Sequence, residues 1–194
     1  MTTDFDIMRQ LYNFWLTVSS IMMKTIITIT FVIIVLTFLV YGQSMPEFPA
    51  GWKPATKSDY SAENLSFRKN QVPNHIEADF NGDDIKDQAW ILINTSNKTF
   101  GVFVFLGTGN GSYKMLMLDE HKRETKKLFM GISLLEPGQH KTACGKGYWE
   151  CKEDESEILK IKNPGINYFA FENANSVYYW NSCKNEFTRI WMSD

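Results

Sequence analysis

From residue 75 onward the apolar residues fall into short runs of strand length, each closed by a cluster of Asn, Gly, Asp, Ser or Lys. QAWILIN (88–94) and TFGVFVFL (99–106) are separated by Thr95, Ser96, Asn97 and Lys98. The Gly-rich stretch 107–111 then turns the chain into 112–118. Runs of this length, rich in β-branched and aromatic residues and bounded by turn formers, predict a three-stranded meander. The near-continuous apolar run 102–106 implies a strand covered on both faces. A second meander is expected over 167–171, 177–180 and 187–192, with 128–135 and 157–162 as further strands. The aromatic share of 14% supports this reading, because flat rings pack well on a pleated surface.

Only one soluble helix is predicted, over 58–68, where Ser58, Asp59 and Ser61 offer caps, Tyr60, Leu65 and Phe67 are apolar, and Pro73 follows. The expected fold is therefore all-β with one short N-terminal helix. Its antiparallel meanders form either a propeller-blade-like sheet or a sandwich.

Upstream, residues 25–41 read TIITITFVIIVLTFLVY without a charge, directly after Met22, Met23 and Lys24. A basic residue before a long apolar run is the pattern of a signal peptide, with cleavage after Gly42. The alternative is an uncleaved anchor in the inner membrane, since the run approaches the ~20 residues that span hydrocarbon. The apolar residues of 1–21 do not belong to an ordinary signal peptide, which raises translation from Met22 or Met23 as a hypothesis. Both alternatives place residues 43–194 outside the cytoplasm, periplasmic or secreted. The expected organisation is a targeting segment over 1–42, an extended Pro-rich tether over 43–57 and a β-rich domain over 58–194.

An exported domain meets an oxidising compartment, and Cys144 and Cys151 bracket the short Gly-rich loop CGKGYWEC. Three pairings are open among Cys144, Cys151 and Cys183; Cys144 with Cys151 is preferred because local closure is easiest. The gain from so small a loop is about 2–3 kcal/mol in the chain-entropy model. No CxxC spacing occurs and His75, His121 and His140 are scattered, which argues against structural zinc.

The net charge is −2 with both signs mixed along the chain, so no basic stripe suits nucleic acid. The run 119–127 carries both signs and reads as a solvated loop or helix face. No G-x-S-x-G elbow, H-E-x-x-H pair or phosphate loop appears, so no catalytic residue is assigned. Glu150, Glu153, Asp154, Glu155 and Glu157 form an acidic cluster, read as a solvated loop ahead of carboxylate catalysis. Tyr148 with Trp149, and Tyr178 with Tyr179 and Trp180, are either core pairs or stacking surfaces for a sugar or a protein.

The stretch DFNGDDIKD places oxygen donors at Asp79, Asn81, Asp83 and Asp87, with the Ile85 carbonyl available between them. Such spacing can wrap hard oxygen ligands around calcium; equally, Asn81, Gly82 and Asp83 make a good hairpin turn with carboxylates capping N–H groups. About fifteen residues here resemble the loop of FG-GAP or VCBS-type repeats, the calcium-loop modules of integrin-α-like propellers, although Asp84 stands where that family usually has Gly. The resemblance implies a structural calcium held by Asp79, Asn81, Asp83, Ile85 and Asp87. The end of the chain, from Phe171 through Trp180 to Trp191 and Asp194, resembles a set of small exported bacterial proteins of unknown function. The expected role is a non-catalytic envelope or secreted binding module, whose partner is another protein or an envelope glycan. The alternative is a periplasmic immunity protein or inhibitor that neutralises a toxic envelope-targeting enzyme.

Overall fold

A computed structural model describes residues 15, 45–69, 71–153 and 155–194. The chain divides into two units, Met1–Met45 and Pro46–Asp194, and the fold is that of the second. The targeting segment expected over 1–42 lies outside the described residues apart from Trp15.

The strands are β1 (Trp52–Pro54), β2 (His75–Ala78), β3 (Asp87–Asn94), β4 (Thr99–Gly107), β5 (Tyr113–Lys122), β6 (Met130–Leu135), β7 (Gly138–Lys141), β8 (Ile158–Ile161), β9 (Gly165–Ala170), β10 (Asn175–Asn181) and β11 (Glu186–Ser193). Within the second unit the helix α1 (Ala62–Phe67) opens at Ser61, whose hydroxyl accepts the Asn64 N–H at 3.0 Å. All pairs among these strands are antiparallel. In the first sheet β3, β4 and β5 form the expected meander, and β1 and β2 share the other edge of β3. The second sheet runs β11-β10-β9-β6, and β7 pairs with β8 as a separate hairpin.

Alternation along the strands decides what each face meets. Ala89, Ile91 and Ile93 of β3, with Phe100, Val102 and Val104 of β4, face inward and join Ile132, Ile166, Tyr168 and Tyr178 of the second sheet in one core. Two sheets sharing one core make a β-sandwich. The opposite face of the first sheet carries Trp90, Leu92, Phe103 and Phe105, covered by Phe48 and Trp52. Phe48 stands 5.4 Å from Trp90 and 5.7 Å from Phe105 between ring centres, and Trp52 stands 4.8 Å from Phe103. From Pro46 onward, then, the Pro-rich segment expected to be a tether is part of the folded unit. Its prolines suit a strand three residues long at a sheet edge. The outer face of the second sheet is covered by Leu159 and Ile161 of β8, which pack on Val177 and Met192.

Residues 119–122 differ from expectation. They are the end of β5, not a solvated loop or helix face. A bulge opposite Val102 and Phe103 shifts the register there, and Asp119 turns into a bridge between the sheets.

Candidate functional site

The 79–87 loop closes on its own backbone. Asp79 Oδ1 accepts the N–H groups of Gly82 (2.7 Å) and Asp83 (3.2 Å), and its Oδ2 accepts that of Asp84 (2.9 Å). Asp83 Oδ1 accepts the Ile85 N–H at 2.9 Å, and Asn81 Nδ2 donates to Asp83 Oδ2 at 2.9 Å. Asp84 adopts φ +64°, the left-handed conformation that the Gly of the resembled motif supplies. Asp87 is fully buried at the base of the loop; its carboxylate accepts the N–H groups of Phe80 (2.8 Å) and Gly107 (2.9 Å). Burial, helped by the nearby charges of Asp83 and Asp79 against those two hydrogen bonds, pushes its pKa up to about 6.

The donor set is the hard-oxygen chemistry calcium takes, but its arrangement is not a cage. The loop carboxylates point to N–H groups, and among the described residues no three His, Cys, Asp or Glu side chains gather so as to hold a metal ion. As it stands, the loop fits a self-capped turn.

The second predicted feature leads elsewhere. Cys144 and Cys151 are bonded, while Cys183 is free and exposed. The bridged segment is latched to its surroundings at several points. Ala143 N–H donates to the Trp191 carbonyl (2.9 Å), Thr142 N–H to the Glu157 carbonyl (3.0 Å), and Lys146 Nζ to the Met192 carbonyl (2.7 Å). Gly145 is required by close approach, because a Cβ there would lie 2.0 Å from the Glu157 carbonyl oxygen. These contacts bring Trp149 of the loop beside Trp191 of β11. Together with Glu150, Lys152, Glu155, Ala174 and Asp194 they line an open cleft of about 450 Å³.

Within the cleft, Trp149 Nε1–H donates to Glu155 Oε2 at 3.1 Å, so part of the acidic cluster orients an aromatic ring. Trp191 is 42% exposed, so much of its indole surface is open to solvent. The Arg189 guanidinium stands 4.5 Å from the centre of its ring. Arg189 is itself anchored: its Nη1 pairs with Asp119 at 3.0 Å and its Nε donates to Ser176 Oγ at 2.9 Å. Asp119 also accepts the Tyr178 hydroxyl (3.0 Å) and lies 3.0 Å from His121 Nε2, which ties β5 to the second sheet behind the cleft. Burial pushes the phenols of Tyr178 and Tyr168 well up, so both remain neutral. Tyr179 and Trp180, weighed as stacking residues, instead pack against the cores. Beside Met192, on the opposite face of β11, a second cleft of about 410 Å³ is lined by His140, Lys141 and Lys146 with Asn167 and Asn175.

The sequence pattern did not reveal Trp191 as a neighbour of Trp149, nor Arg189 and Asp119 as the pair behind the Trp191 ring. The available signal was Arg189 and Trp191 two apart on one strand face, together with the disulfide spacing. No protein-family model, curated protein or solved structure matches the chain.

Proposed function

We propose that the domain is a non-catalytic binding module of the cell envelope or exterior, with the cleft between Trp149 and Trp191 as its ligand site. One observation carries this reading. Two tryptophans from distant parts of the chain meet in an open cleft on a segment fixed by a disulfide and by hydrogen bonds to β11. Rigid aromatic residues with exposed ring surface are what binding hot spots are made of, because they bury large area at little entropic cost. The disulfide favours an oxidising compartment, in line with export of residues 43–194.

The test is affinity capture from envelope extracts with the full-length chain and its Trp191→Ala variant. A ligand retained by the native chain and lost by the variant is the expected result. Equal capture by both would overturn the assignment of the cleft.

A further inference from the structure

We infer that the cleft takes a cationic side chain, arginine or lysine, presented by a basic segment of a protein partner. This deepens the reading above and rests on it. The charges lining the cleft are Glu150, Glu155 and Asp194 against Lys152, an excess of two negative charges around two indole rings. The exposed Glu153 stands beside them in the same loop and adds to that sign.

Electron-rich indole faces attract cations, Trp most strongly of the aromatic residues, and surrounding carboxylates reinforce the attraction. The molecule already displays the mode, since Trp191 holds the Arg189 guanidinium at 4.5 Å, with that charge neutralised by Asp119 at 3.0 Å. A neutral sugar would need donors as well as acceptors from the wall. The Trp149 indole N–H is committed to Glu155, so one of the two indole donors in the cleft is already taken. An anionic ligand meets the wrong charge. At about 450 Å³ the cleft lies toward the lower end of ligand pockets, the scale of one or two long side chains rather than a folded domain. The second cleft, beside Met192, carries Lys141 and Lys146 with His140 and no carboxylate, so the acidic excess belongs to the Trp149–Trp191 cleft.

The experiment is isothermal titration of the full-length chain, in non-ionic detergent at low salt, with a blocked peptide of alternating arginine and glycine. A matched peptide with citrulline for arginine keeps the shape and removes the charge. The arginine peptide is expected to bind and the citrulline peptide to bind far more weakly. Trp191→Ala should weaken arginine-peptide binding about fivefold, and Glu150→Gln, at an exposed position of the wall, about twofold. Raising salt to about 0.3 M should weaken it further, because exposed charges are screened. Equal binding of both peptides, or Trp191-dependent binding of a neutral N-acetylglucosamine tetramer in place of the arginine peptide, would overturn the inference and leave the cleft assignment standing. No binding of the arginine peptide also overturns it, and the cleft assignment then stands or falls on the extract capture.

Discussion

The molecule holds two acidic loops, and they use their carboxylates in opposite ways. In the 79–87 loop, Asp79, Asp83 and Asp87 are bonded to backbone N–H groups, and the deepest of them is fully buried. In the 144–157 loop, Glu150, Glu153 and Glu157 face solvent, Glu150 and Glu155 line a cleft, and Glu155 serves to orient Trp149. A buried carboxylate with two N–H partners is a structural corner; an exposed one in a cleft with the exposed Trp191 and the half-buried Trp149 is available to a ligand. Residue type alone does not separate the two. What separates them is whether the chain's own donors have already taken the oxygens.

The largest effect that sharpens this contrast is expected at Asp87. Asp87→Ala leaves the Phe80 and Gly107 N–H groups buried without acceptors, at a cost of about 3 kcal/mol. Urea unfolding should show this as a lowered midpoint with an unchanged slope. Substituting Ser for both Cys144 and Cys151 should cost about 2–3 kcal/mol, since the bridge constrains the unfolded chain. The same double variant should also loosen the cleft, read as increased quenching of Trp149 fluorescence by acrylamide. A loss of stability at the cysteines without any change at Trp149 would break the link between the bridge and the cleft.

Much of the fold was legible because strands reveal themselves locally. QAWILIN and TFGVFVFL are near-continuous apolar runs of strand length, and Asn and Gly punctuate each run, so β3, β4 and the second meander fall where the pattern puts them. The Cys144–Cys151 pairing was legible for the same reason, being local. What the pattern left out is non-local. Nothing near Pro49 or Pro54 says that Trp52 will lie on Phe103, and nothing near the 119–127 charge run says that Asp119 will meet Arg189 across the sandwich. The site shows the same division. Its tryptophans are 42 positions apart in number, and only the return of the chain along β11 makes them neighbours. The 79–87 loop stood out in sequence because its oxygens recur at regular spacing, which a self-capped turn and an ion site share.

A smaller effect separates the two loops by pH. Asp87 has a folded pKa of about 6, above the ordinary carboxylate value of about 3.9. Between those values the folded state keeps a proton that the unfolded chain has released. The contribution of this group is therefore fully favourable below about pH 4, falls as pH rises to about 6, and is flat above that. Asp87→Asn does not titrate, so the difference in urea midpoint between native and variant should change across pH 4 to 6 and stay constant from 6 to 8. A difference that is flat from pH 4 to 8 would mean that Asp87 titrates normally and is better solvated than its burial indicates.

The smallest expected effect on stability falls at Trp191, and its smallness is what the comparison needs. With 42% of its surface exposed and its backbone carbonyl still able to accept the Ala143 N–H, Trp191→Ala should lower the unfolding free energy measured in urea by no more than about 1 kcal/mol. The loss comes from the stacked face of the ring, where the Arg189 guanidinium lies; Arg189 keeps Asp119 and Ser176 as partners after the ring is gone. A residue that contributes little to folding yet exposes a large indole in a cleft has its reason for being there outside the fold. A cost near that of Asp87→Ala would instead make Trp191 part of the scaffold, and the two acidic loops would then differ only in depth.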